Sequence, residues 1–187
     1  MPVEVKGLSE LRRALNKFEP EMKKQLDREI RSFLAPVVKE ARAYAPQEIP
    51  GLSNWTKAQT EGAKFPRYDV SVVRRGIKVK LGASKRNTNG FKTLIAIVNN
   101  SAAGAIFETA GRKNPFGSPK SRSQNPYAGR HFIGAINAQG MMKGKDKERG
   151  RLIYRAWDEN QGKALANVMR AIYNVRGMVE HDTNLSL

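Results

Sequence analysis

The residue types that most often carry chemistry are few and far apart in this chain. Two histidines, His131 and His181, lie 50 residues apart, and neither has a second histidine or a carboxylate at ligand spacing, so the sequence offers no metal site. The absence of cysteine removes thiolate ligation, disulfides and thiol nucleophiles. Glycoside-type acid and base work needs two carboxylates on a firm scaffold, yet Glu108 is the single acid between Val70 and Lys145. The stretch Gly111 to Gly117 lacks the terminal Lys and Ser or Thr of a phosphate-binding loop, and no serine nucleophile elbow is present. These residues point away from an enzyme and imply no cofactor.

What remains is the chemistry of charge. The 187 residues hold 34 Lys plus Arg against 17 Asp plus Glu, a formal +17. Residues 1–69 carry 13 bases and 10 acids and residues 146–187 carry 7 and 6, whereas Val70 to Lys145 carries 14 bases and one acid. Self-repulsion of that size weakens a compact state until a polyanion or an acidic partner offsets it. Phe116 and Tyr127 lie among Arg112, Lys113, Lys120, Arg122 and Arg130, a mixture able to hold a phosphate backbone with occasional stacking. No zinc finger, homeodomain or RNA-recognition signature accompanies them, so sequence-specific reading is not expected. The opening residues do not read as a signal peptide, and no run approaches the roughly 18 apolar residues of a membrane helix; the expectation is a soluble protein made in the cytoplasm.

The elements that must position these charges follow from periodicity. Leu8, Leu11, Leu15 and Phe18 predict a short helix. Pro20 opens a second, in which Met22, Leu26, Ile30, Phe33, Val37, Ala41 and Tyr44 form one stripe. Pro36 predicts a kink near Ser32 to Pro36, and Pro46 ends the helix. A loop follows to Asp69, anchored by Trp55 and Phe65. The period then falls to two. Val70 and Val72, then Ile77, Val79 and Leu81, predict two strands around a turn at Arg74, Arg75 and Gly76. With Ile77, Val79 and Leu81 facing the core, Lys78 and Lys80 share the other face. Ser84 to Gly90 reads as a polar tip. Leu94 to Val98 predicts a central strand and Ala103 to Thr109 its antiparallel neighbour. His131 to Ile136 reads as an added strand or a helical turn. Leu152, Ala156, Leu165, Val168, Met169 and Ile172 predict a C-terminal helix with Gly162 as a weak point and a frayed polar end. The expected fold is one α+β domain: N-terminal helices over 1–46, a roughly four-stranded, mainly antiparallel sheet over 70–111, a basic loop excursion over 112–151 and a C-terminal helix over 152–176, with the long helices on one face of the sheet.

Three short motifs, Ala41 to Pro46, Ala103 to Gly111 and Arg151 to Asn160, follow one another along the chain, and in this order they resemble the tail-completion or neck proteins of long-tailed bacteriophages. The first is Ala-Arg-Ala-Tyr-Ala-Pro at Ala41 to Pro46, where the family's first helix ends in Ala-x-x-x-Ala-Pro. The second is Ala103 to Gly111, in which Ala105, Phe107, Glu108, Thr109 and Gly111 stand where the family has a strand close to Tyr-Ala-x-x-Glu-Phe-Gly-Thr. Arg151 to Asn160 resembles a diverged form of the motif before its last helix, without that motif's two prolines, and the excursion Arg112 to Arg151 is longer than the family pattern. The resemblance implies a virion protein at the head-to-tail junction, forming a homo-oligomeric ring, six-fold, between connector and tail. It further implies subunit contacts at Phe107, Glu108, Thr109 and Gly111, and as neighbours the connector or stopper and the tail-tube or tail-terminator proteins. In such a ring Arg74, Arg75, Lys78, Lys80, Lys85 and Arg86 would face the lumen or a partner, meeting genomic DNA without reading sequence. The loop carrying Arg112, Lys113, Phe116, Lys120, Arg122, Tyr127 and Arg130 would be a docking arm that orders on a neighbour. A tail terminator of the same junction and a non-specific nucleic-acid-binding protein are the alternatives.

Overall fold

The computed structural model describes residues 20–57, 65–82, 95–117, 123–145 and 149–184. Its elements are α1 (Pro20–Ala43), α2 (Ser53–Thr56), α3 (Val70–Gly76), β1 (Ile77–Leu81), β2 (Ile95–Asn99), α4 (Ala102–Thr109), α5 (Ala128–Ala138) and α6 (Ile153–Asn184). They form two compact units: residues 1–37, 79–97 and 160–187, and residues 38–78 and 98–159. The first expected helix, Leu8 to Phe18, lies outside the described residues, as does the polar tip at Ser84 to Gly90.

The expected four-stranded sheet is not what forms. Among the described residues the sheet has two antiparallel strands, β1 and β2, and the protein is about 60% helical. Both missing strands are helices, and in each a side-chain cap decides the outcome. Asp69 accepts hydrogen bonds from the N–H groups of Ser71 (2.8 Å) and Val72 (3.2 Å), which satisfies the unpaired start of a helix and carries Val70–Gly76 into α3 despite its β-branched residues. Ser101 does the same for α4, its Oγ accepting from Gly104 N at 3.1 Å. The buried residues of α4, Ala103, Gly104, Phe107 and Glu108, then recur every four positions, the spacing of one helix face. Gly104 has a second reason to be there: a Cβ would lie 2.3 Å from the Asn99 Nδ2. His131 to Ile136 resolves as part of α5, with Ile133 and Ile136 buried one turn apart.

In the first unit, Leu26, Ile30, Leu34 and Val37 of α1 and Ala164, Val168 and Ala171 of α6 supply the buried apolar side chains. The stripe expected on α1 holds at Leu26, Ile30, Val37 and Ala41, with Leu34 buried next to a half-buried Phe33. Helix α1 runs unbroken through Pro36, which is exposed; a proline there removes one ladder donor but leaves its ring in solvent. On α6 the inward face is Ala164, Val168 and Ala171, while the expected Leu165 is 38% exposed. That helix extends eight residues beyond the expected Arg176, to Asn184. Arg31 ties α1 to β1 within this unit by donating to Val79 O at 3.2 Å.

The second unit is built around Phe107, Tyr68, Trp55, Ile77, Ile136 and Leu152, each no more than 4% exposed. Trp55 packs against Phe65, Tyr68 and Phe132 with ring centroids 5.9, 5.1 and 5.0 Å away, and its indole N–H donates to Pro66 O at 2.7 Å. The loop after α1 is therefore anchored where its aromatics are, each ring burying a large apolar area and the indole finding the acceptor that burial demands. Arg42 donates through Nε and Nη2 to Ile77 O, at 3.0 and 2.6 Å, fixing the end of α1 to the start of β1.

Candidate functional site

The polar centre of the second unit is the start of α6. A helix leaves its first N–H groups unpaired, and here a side chain distant in sequence serves them. Glu108 reaches across from α4. Its carboxylate accepts from Leu152 N at 2.5 Å and Ile153 N at 3.3 Å through one oxygen and from Tyr154 N at 2.9 Å through the other. Glu108 is only 4% exposed. Burial pushes its carboxyl above the ordinary value, while the three N–H groups and the Arg112 guanidinium pull it down. Gly150 makes the contact possible, because a Cβ at that position would stand 2.2 Å from Glu108 Oε1.

Arg151 closes the same centre and is 1% exposed. Its Nη1 donates to Phe107 O and Ala110 O, each at 2.9 Å, and Nη2 donates to Asn137 Oδ1. Those acceptors are the carbonyls at the end of α4 and a side chain of α5, so one guanidinium joins the last turns of two helices to the start of a third. Burial lowers Arg151 to about 10, opposed by the nearby Glu108 charge. Gly111, at φ +81°, carries the chain out of α4 in a conformation that favours glycine and passes close to Ile133, whose Cγ2 would lie 2.9 Å from a Cβ. Glu108 thus holds an internal position in the unit, Gly111 is half-buried, Phe107 is core at 1% exposure, and Thr109 is exposed with its hydroxyl donating to Ala105 O at 2.9 Å.

Of the residues expected to face a lumen or partner, Arg75, Lys78 and Lys80 are exposed. Lys78 and Lys80 alternate with Ile77, Val79 and Leu81 along β1 as the period of two requires. Arg74 and Arg75 sit in the last turn of α3 rather than in a hairpin turn. Arg74 is half-buried, donating to Ala45 O at 2.8 Å, which makes it a tie between α3 and the chain after α1. Lys85 and Arg86 lie outside the described residues. In the docking segment, Lys113, Phe116, Tyr127 and Arg130 are exposed, Phe116 at 72% and Tyr127 at 70%. The Arg130 guanidinium lies over the Phe116 ring at 5.9 Å, and the half-buried Arg112 lies over Tyr154 at 4.8 Å. Lys120 and Arg122 are outside the described residues. Gly117 and Gly129 meet through their backbones: a Cβ on Gly117 would lie 2.5 Å from the Gly129 Cα. That contact seats the loop carrying Phe116 on the first turn of α5.

A second polar cluster was not legible in the sequence. The Tyr44 hydroxyl bonds Glu159 and, at 2.7 Å, Glu40 Oε1. Lys143 Nζ donates to Glu159 Oε1 at 2.5 Å, Arg155 Nε reaches the same oxygen at 3.5 Å, and the Arg155 guanidinium lies 4.0 Å from the Tyr44 ring centroid. Hydrogen bonds from Lys143 and Tyr44 hold Glu159 down to about 2, and burial together with the two carboxylates pushes the Tyr44 hydroxyl up. The tyrosine is 115 residues from Glu159, a separation that spacing rules do not reach. The buried role of Arg151 was equally hidden, since arginine in a Gly- and Lys-rich stretch reads as surface.

Among the described residues no group of three or more His, Cys, Asp or Glu is placed to hold a metal ion, and no helix is long and apolar enough to cross a membrane. No protein-family model, curated protein or solved structure matches the chain.

Proposed function

We propose that the chain is a non-enzymatic structural protein of the phage head-to-tail junction, a neck or tail-completion subunit that closes into a homo-oligomeric ring around the DNA channel and joins connector to tail. The observation that carries this reading is the fate of Glu108. The one acid between Val70 and Lys145 is turned inward onto the start of α6, so this segment offers no carboxylate of its own to balance the exposed Arg75, Lys78, Lys80, Lys113 and Arg130. Positive charge left uncompensated within a subunit is compensated when subunits meet a polyanion or an acidic neighbour. The motifs at Ala41 to Pro46 and Arg151 to Asn160 support the same assignment, whereas Ala103 to Thr109, matched to a strand of the family, is helix α4 here. Genomic DNA is met through its phosphates without sequence preference, and the protein neighbours are the connector or stopper and the tail-tube or tail-terminator proteins of a virion.

Sedimentation of the purified chain over a range of salt concentrations, with and without duplex DNA, tests the proposal. The expected result is a discrete closed oligomer, visible as rings by electron microscopy, whose formation or DNA contact weakens as salt rises. A monomer indifferent to ionic strength would overturn the reading. A monomer that binds DNA with a steep salt slope would mark a dedicated nucleic-acid-binding protein instead.

A further inference from the structure

An open depression of about 800 Å³ lies on the second unit beside the docking segment. Its lining includes the apolar side chains Phe65, Ile106, Phe132 and Ile133 and the cations Arg112 and Lys113, with no acid among the described residues. Three of the seven large hydrophobic side chains exposed among the described residues stand on or next to it: Phe65 in the lining, Phe116 one residue before the lining Gly117, and Tyr127 one residue before the lining Ala128. Exposed apolar surface concentrated in this way marks an interaction face. Arg130 adds a third cation over Phe116. Arg112, half-buried in the lining with its guanidinium over Tyr154 at 4.8 Å, adds positive charge to this face.

We propose that this face takes an acidic segment of a neighbouring protein in which an apolar side chain lies within a residue or two of a carboxylate. The apolar side chain fills the depression between Ile106 and Phe132, and the carboxylate is met by the exposed Lys113 and Arg130, with the charge of Arg112 beside them. A nucleic-acid strand fits less well: it brings a phosphate at every step and asks for a cationic track with open stacking faces, whereas here two cations lie beside an apolar hollow and Arg130 already lies on Phe116. The inference rests on the joining role proposed above, whose partner it describes in chemical terms.

The test is fluorescence anisotropy of the full chain with a labelled ten-residue peptide bearing one phenylalanine flanked by glutamates. Three further probes accompany it: the peptide with serine for phenylalanine, the peptide with glutamines for glutamates, and a ten-nucleotide thymidine strand. Binding of the first peptide is expected to be about tenfold tighter than either altered peptide. Phe116→Ser and the double change Lys113→Glu, Arg130→Glu, all at exposed positions, are expected to abolish the preference while leaving the circular-dichroism melt unchanged. Equal binding of the serine peptide, indifference to the charge reversal, or displacement of the peptide by the thymidine strand would each overturn the proposal. Sedimentation of the same samples separates the two readings: rings that ignore the peptide retire only this inference, and a salt-indifferent monomer retires the joining role as well.

Discussion

Glu108 and Glu159 are both carboxylates that act on α6, and they do so under opposite conditions. Glu108 comes from another helix, is 4% exposed and accepts from three backbone N–H groups at the helix start. Glu159 lies on the second turn of α6 itself, has a side chain 26% exposed, and is held by the side chains of Tyr44, Lys143 and Arg155. Burial pushes the first carboxyl up, while partners pull the second down to about 2. The difference lies in what water can replace. Around Glu159 a lost partner is exchanged for solvent; around Glu108 a lost acceptor leaves donors with nothing.

The widest gap should appear on deletion. Glu108→Ala strands the N–H groups of Leu152, Ile153 and Tyr154 and removes a counter-charge to Arg151, and is expected to destabilise the fold by about 3–5 kcal/mol. Glu159→Ala, at a partly exposed ion pair, is expected to lose about 1 kcal/mol or less. Urea denaturation of the two variants checks this. Equal losses would break the comparison and place Glu108 in a wetter setting than its neighbours indicate.

Gly150→Ala asks the same question without touching the carboxylate. The new methyl would stand 2.2 Å from Glu108 Oε1 and 2.7 Å from its Cδ, so the cap must move off the helix start or the chain must shift. The expected cost is about 2 kcal/mol, the range of a lost cap with local overpacking. It should be strongly non-additive with Glu108→Ala, because the clash disappears once the carboxylate is gone. A double-mutant cycle on melting curves reads that coupling directly.

Acid separates the two carboxylates by sign. The carboxyl of Glu159 falls from an ordinary 4.5 to about 2 in the folded chain, so the unfolded chain binds the proton first as pH drops. Its contribution is complete above about pH 4.5 and is lost as pH falls toward 2. With a side chain 26% exposed, that contribution is about 1 kcal/mol after solvent screening. Glu159→Gln should therefore cost about that much at pH 7 and almost nothing at pH 2. A mutational cost that stays constant across this range would show that the Tyr44 and Lys143 contacts do not depend on the ionised carboxylate.

The parts of this arrangement that were legible in the sequence are those set by local repetition. The stripe Leu26, Ile30, Val37, Ala41 declared α1, the alternation Ile77, Val79, Leu81 declared β1 with Lys78 and Lys80 outward, and the apolar run declared β2. The two false strands failed for a physical reason: Val70, Val72 and Ala103 to Thr109 are compatible with either period, and the deciding residues, Asp69 and Ser101, act through a single cap each. A capping residue one or two positions ahead of an ambiguous run was the available signal, and at Val70 and Val72 it outweighed β-branching. At the candidate site, the exposure of Lys78, Lys80, Phe116 and Tyr127 followed from their surroundings in sequence. The inward turn of Glu108 and Arg151 did not, because each bonds backbone groups more than 40 residues away, and pairings of that range follow from the fold alone.

The smallest expected effect sharpens the comparison from the far side of Glu159. Gly162 is exposed within α6, and a Cβ there would meet nothing within 4 Å. Its cost is purely conformational: glycine loses more backbone freedom on entering a helix than alanine does. Gly162→Ala should stabilise the chain by about 0.5–1 kcal/mol, opposite in sign to the same substitution at Gly150, twelve residues earlier. Thermal melts of the two variants side by side carry the contrast. If Gly162→Ala is neutral, the helix does not propagate through that turn as one cooperative unit with its capped start, and the dominance of Glu108 is confined to the second unit.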